Sequence, residues 1–251
     1  MSESLTPLSP RQKYATQCAM LFATLFPTVA AWSYFLALTG SAGQVNVGQQ
    51  IAYTSSKIVQ FLFPLVFVVV VEGRLPRPSR PRFDGLGLGL GFGILVVALM
   101  LGLYFGVLRG SSMLAQTPER VRAKLQEVNV ATPARYVLLA AFVVAAHSLL
   151  EEYYWRWFVF GHLRGLMAWS FAVVVSSLAF MAHHVIVLYV YLPGKFWTAA
   201  LPLSLAIAVG GAVWAWLYER SGSIYPSWLS HLLIDSGIFV IGWDLLWPIG
   251  G

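Results

Sequence analysis

The chain has 251 residues, of which 58% are hydrophobic and only 10% charged, with a formal net charge of +6 at pH 7. A soluble domain is typically about 25% charged, so a globule covered by water is excluded and a lipid bilayer is the expected solvent. The basic surplus forms no stripe on a polar module, which excludes a nucleic-acid partner.

At the N-terminus Arg11 and Lys13 precede an apolar run, a charge order resembling a signal peptide. The run is long enough to cross a membrane, and no small-residue site of A-x-A type closes it, so an uncleaved first helix is expected. The single cysteine, Cys18, lies in this run; alone it makes neither an internal disulfide nor a zinc–thiolate site. Hydropathy predicts seven spans: Tyr14–Leu38, Ile51–Val71, Leu86–Leu108, Tyr136–Phe160, Met167–Leu192, Ala199–Tyr218 and Trp228–Trp247. Each must be a helix, because lipid offers no partner to an open backbone edge. The glycines at 85, 87, 89, 91 and 93 in the third span allow close approach of a neighbouring helix. Between the third and fourth spans, Pro118 and Glu119 mark a helix start. Val121, Leu125 and Val128 share one side of Thr117–Val130, which fits either a short helix lying in the interface plane or a solvated connector. The expected architecture is all-α: one membrane-embedded domain over 1–251, a polytopic bundle of about seven to eight helices, with scaffold helices in 1–110, an interfacial helix at 117–130 and catalytic helices in 136–247.

Orientation follows from Lys and Arg. Arg74, Arg77, Arg80 and Arg82 crowd one short Pro-rich loop, the pattern of a loop retained in the cytoplasm. With the N-terminus cytoplasmic, Arg11, Lys13, that loop, Arg156, Arg164 and Arg220 lie inside, against Arg109, Arg120, Arg122, Lys124, Arg135 and Lys195 outside. The compact length points to a bacterial plasma membrane.

A charge near the bilayer centre costs at least about 2.5 kcal/mol, so ionisable residues within spans are functional candidates. The first three spans hold almost none beyond Lys57, whereas the last four hold His147, Glu151, Glu152, Arg156, His183, His184, His231 and Asp235. Glu152 and Arg156 are four apart in the order that favours a helical ion pair, while Glu151 is turned about 100° away. Phe180 and His184 are a turn apart, so the ring can brace the imidazole. Of the adjacent His183 and His184, at most one is expected to face a given site. His231 and Asp235 share a face, as a site or as a polar clasp between helices. Helix-end charges at an interface are the plainer reading of the two glutamates, with Tyr153, Tyr154, Trp155 and Trp157 close by.

Taken together, Glu151-Glu152-x-x-x-Arg156, Phe180-x-x-x-His184 and His231-x-x-x-Asp235, in this order and each on its own span, resemble the family of CAAX proteases and bacteriocin-processing (CPBP) intramembrane endopeptidases. The resemblance covers about Tyr136 to Trp247. It implies peptide hydrolysis within the membrane by a glutamate-activated water, on a membrane protein or lipid-modified peptide (prenylated, leader or C-terminal sorting-tail type), with no cofactor. Glu151 would be the general base, His184 would help to hold the water, Glu152 with Arg156 would stabilise the site, and His231 with Asp235 would steady the oxyanion. Asp235 departs from the asparagine of many members, because an ionised carboxylate donates no hydrogen bond. The alternative within the class is a zinc site on Glu151, His184, His231 and Asp235, a donor set that suits the metal. Outside the class stand a non-enzymatic membrane scaffold and a transporter; the latter is disfavoured because the first half has no counterpart of the second-half motifs.

Overall fold

A computed structural model describes residues 9–39, 44–76 and 84–248. Among these residues the chain forms eight helices and no strand. Seven are long and apolar enough to span: α1 Pro10–Ala37, α2 Val47–Val71, α3 Leu86–Leu108, α5 Pro133–Leu166, α6 Trp169–Tyr191, α7 Phe196–Ser221 and α8 Tyr225–Leu246. The short α4, Thr117–Glu127, links α3 to α5. The chain is a multi-pass integral membrane helix bundle, as its composition requires.

Local chemistry sets the helix ends. Ser9 and Gln12 form a capping box on α1, each side chain serving the other's backbone N–H. This starts the helix four residues before the apolar run, at Pro10 rather than Tyr14. Asn46 accepts from the Gln49 N–H at 3.1 Å to open α2. Gly222, at φ 64°, closes α7 with its N–H on the Tyr218 carbonyl. Proline occupies the first turn of α4, α5 and α8, where its missing N–H costs nothing.

The glycine stripe of α3 is explained by α8. A Cβ on Gly89 would collide with the carbonyl oxygen of Pro226, and one on Gly93 would lie 2.9 Å from the Leu233 side chain and 3.1 Å from the Ser230 Cα. Gly87 and Gly91 have nothing within 4 Å of that position. One glycine face thus seats α8, which carries His231 and Asp235.

Helix α5 runs through the centre. Tyr154, Trp155, Phe158, Val159 and Phe160 are almost fully enclosed and join Phe180, Trp214 and Leu217 in the main core. The Tyr154 hydroxyl donates to the Ala23 carbonyl of α1 at 2.7 Å. A second core lies at the other end, where Val121 and Leu125 of α4 pack with Tyr136, Leu246 and Trp247. The apolar side of α4 is therefore seated on helix ends, although Val128, grouped with it in the sequence, is 39% exposed.

Arg156 is buried at 2% exposure, so it is no loop charge and drops out of the inside count. Arg77, Arg80 and Arg82 fall outside the described residues; Arg74 pairs with Glu72 at 2.8 Å.

Candidate active site

The two glutamates sit on an unusual stretch of α5. Ser148–Glu152 is regular α-helix, but Phe142–His147 before it and Tyr153–Phe160 after it are π-helical. Such widened turns interrupt the regular ladder and recur at functional sites. They surround both carboxylates with protein: Glu151 is 5% exposed and Glu152 0%. A helix-end position in an aqueous interface is ruled out for both.

Glu152 is the anchored member. Its Oε1 lies 3.2 Å from Arg156 Nη1 and accepts from His231 Nδ1 at 2.9 Å. The Arg156 guanidinium is in turn held between the rings of Phe180 and Trp214, 4.8 Å from each centroid. Trp214 stacks on His231 at 4.3 Å and donates its indole N–H to Ser230 at 3.0 Å. One carboxylate thus fixes both an arginine on its own helix and an imidazole on α8.

Glu151 faces a ring of imidazoles. His147 Nε2 is 3.4 Å and His183 Nε2 3.8 Å from its Oε1, and His231 Nε2 is 3.7 Å from its Oε2. Asp235 approaches the same His231 Nε2 at 3.6 Å. Orientation of that ring therefore comes from Glu152 on Nδ1, while Asp235 shares the Nε2 side with Glu151.

His184 lies beside the cluster, its ring centroid 4.1 Å from that of His183 and 4.7 Å from Phe180. Its Nδ1 donates to the Phe180 carbonyl at 2.9 Å, which leaves Nε2 as the acceptor of a neutral ring. Both histidines thus border the chamber, with His183 the closer to Glu151. The ring of His183 stacks on Trp155 at 5.8 Å.

Of the six residues singled out from the sequence, Glu151, Glu152, Arg156 and His231 form a buried cluster that half-buried Asp235 joins through His231, while half-buried His184 adjoins it through His183 and Phe180. His147 and His183 join it without having been assigned a part. The signal for His147 was its four-residue spacing from Glu151. That for His183 was only adjacency to His184, which says nothing about direction. No set of three or more His, Cys, Asp and Glu side chains among the described residues is arranged to hold a metal ion.

Outside the membrane spans, Glu72 marks the end of α2. Burial pushes its carboxyl up, but a 3.0 Å contact with His162 and the pairing with Arg74 outweigh this and hold it below the usual carboxylate range.

No curated protein and no solved structure matches the chain. A family model does: residues 133–237, the stretch from the first turn of α5 to two residues past Asp235, match the family described as type II CAAX prenyl endopeptidase Rce1-like. Over these residues the chain is similar to that endopeptidase family, the one its three motifs led us to expect.

Proposed function

We propose that the protein is an intramembrane endopeptidase in which Glu151 activates a water molecule to hydrolyse a peptide bond of a membrane-associated substrate. The observation that carries this reading is the contrast between the two glutamates. Glu152 is committed to Arg156 and His231, whereas Glu151 has imidazole nitrogens at 3.4–3.8 Å and no shorter bond. A base must be positioned yet unspent, and that describes Glu151.

Glu151 takes a proton from water, and the neutral His184 ring accepts that water's other hydrogen at Nε2. The oxygen attacks the carbonyl carbon, and the resulting oxyanion is met by His231 Nε2–H. This role requires His231 to donate from both nitrogens, one proton held by Glu152. Asp235 adds a second donor if it is protonated. The tetrahedral intermediate collapses with cleavage of the C–N bond, and the proton on Glu151 passes to the departing amine. Donors aimed at an oxyanion in a site shielded from water contribute roughly 3–4 kcal/mol each to lowering such a barrier. No cofactor is required.

Substrates of the class are membrane-bound: a prenylated tail, a leader peptide or a C-terminal sorting tail. We place its N-terminus in the cytoplasm, on the grounds of the basic loop at 74–82. The deciding experiment is quantitative proteomics of membranes from cells carrying wild type or Glu151→Gln. Accumulation of an uncleaved precursor only with Glu151→Gln is expected. Identical peptide termini in both membranes, with the variant folded and present, would remove the proposal.

A further inference from the structure

Lys57 is a cation inside the first half of the bundle, on α2, and the mechanism does not use it. Its Nζ lies 5.6 Å from the Tyr53 ring centroid and 5.7 Å from that of Phe61. One of its hydrogens goes to Gln60 Oε1 at 3.2 Å. Among the described residues it has no carboxylate partner within 4.0 Å. An ammonium carries three donors, so this one retains capacity.

Gln60 supplies the second observation. The residue is 1% exposed, and its amide nitrogen has no acceptor. A buried donor left unpaired costs about 1–3 kcal/mol, and here it shares a carboxamide with the oxygen that Lys57 binds. Two adjacent donors, an ammonium with hydrogens to spare and an unpaired amide N–H, form half of an anion site.

The position is also telling. Tyr53 forms one wall of a cavity of about 260 Å³ with Tyr34, Gln50, Thr54 and Val128. On the other side of Lys57, Phe61 meets the His147 ring edge-on at 5.9 Å, and His147 contacts Glu151. The ammonium therefore stands between an open, tyrosine-lined cavity and the glutamate chamber.

We propose that Lys57 and Gln60 form a carboxylate-recognition subsite, reading an anionic group of the substrate peptide close to the bond that is cut. The inference rests on the endopeptidase reading above and adds the class of peptide that the site prefers. Two sources of the carboxylate are chemically equivalent at the subsite: a free chain terminus and an acidic side chain. A charged group paired with Lys57 adds a charge-assisted bond that its neutral isostere lacks, about ten-fold or more in affinity.

The test measures binding rather than turnover. Full-length Glu151→Gln protein in detergent is titrated with a fluorescent farnesylated peptide ending in a free carboxylate, and with its C-terminal amide. A second pair, both amidated, differs by Glu or Gln at the last residue. About ten-fold tighter binding of the acid form in at least one pair is expected, and which pair discriminates names the source. The preference should vanish in Lys57→Met and survive in Lys57→Arg. Equal affinities within both pairs, no saturable binding of either acid peptide, or a preference that persists in Lys57→Met each overturn the subsite. The comparison within the lysine-bearing protein stands even if Lys57→Met fails to fold. Cleavage by the Glu151 protein is scored separately, so turnover without charge preference sinks this inference and leaves the protease intact.

Discussion

His231 is bound by Glu152 through its Nδ1 at 2.9 Å, and Glu152 in turn lies 3.2 Å from Arg156 Nη1. The same imidazole meets Glu151 through Nε2 at 3.7 Å. Two adjacent carboxylates of one helix thus face the two nitrogens of one ring on another. A regular helix turns neighbouring side chains about 100° apart, and here the ring of α8 fits into that angle.

Removing Glu152 leaves Arg156 buried without its anion, a loss of about 3–5 kcal/mol when one member of a buried pair is deleted. Glu152→Ala is therefore expected to melt far below wild type in detergent and to lose activity with the fold. Glu152→Gln keeps a hydrogen-bond acceptor for His231 and should lose less stability. Melting of Glu152→Ala within a degree or two of wild type would show that this arrangement does not hold the bundle.

Most of the candidate site was legible in the sequence, for a physical reason. Charges in lipid are costly, so Glu151, Glu152, Arg156, His231 and Asp235 stood out against apolar spans. What stayed hidden depended on direction in three dimensions. The spacing of His231 and Asp235 announced a pair on one face, yet the tight bond of that ring runs to Glu152 on another helix. The π-helical turns around Ser148–Glu152 have no local sequence signature, so the surroundings of the glutamates could not be read in advance. The alternating glycines of the third span promised a close neighbour; only packing revealed α8 as that neighbour and 89 and 93 as the buried pair.

That glycine face gives a prediction with an internal control. Gly89→Ala would drive a methyl into the Pro226 carbonyl, a backbone atom that cannot swing aside. Overpacking of this kind costs about 1–3 kcal/mol. It would also displace the start of the helix that carries His231. Gly91→Ala, with nothing within 4 Å, should be neutral or gain up to about 1 kcal/mol from helix propensity. The opposite order of melting temperatures would mean that α3 and α8 do not pack through this face.

At the α2 end, the pH dependence of stability has a definite sign. Glu72 titrates lower in the fold than its ordinary value of 4.5 because His162 and Arg74 favour its ionised form. Its contribution is present in full above about 4.5 and is lost as pH falls through the lower folded value. Glu72→Gln should therefore be less stable than wild type at pH 7, with the gap closing under acid. A gap independent of pH would show that packing, and not charge, connects Glu72 to His162.

Tyr104 and Arg109 of the α3 end converge on Asp244 of α8, a residue 2% exposed. The tyrosine hydroxyl donates at 2.8 Å and the guanidinium donates twice at 2.9 Å. Tyr104→Phe removes one of these bonds and should cost about 1.5–3 kcal/mol, the range for a hydrogen bond to a charged group. Asp244→Ala should cost more, since it deprives two donors at once. Both changes lie apart from the glutamate chamber, so protein that remains folded should cleave at the wild-type rate. Loss of turnover in fully folded Tyr104→Phe would instead mean that this clasp governs the position of His231.

The roles of the two adjacent histidines separate on kinetic grounds. The Phe180 carbonyl takes the Nδ1 hydrogen of His184, so in the neutral ring Nε2 is the nitrogen that can accept a hydrogen bond from water. His184→Ala should lower kcat by about 10²–10⁴-fold with KM little changed, the range for loss of a group acting in proton transfer. His183 lies nearer to Glu151 but stacks on Trp155, with its Nδ1 buried and unbonded. Replacing it with Phe retains the stacking surface and should leave kcat within about ten-fold of wild type, below the usual worth of a group in proton transfer. Chelators should leave both profiles unchanged. If His183→Phe proves the more damaging variant, the water is held at His183, and activity that falls with chelator and returns with zinc would replace the glutamate mechanism by a metal-assisted one.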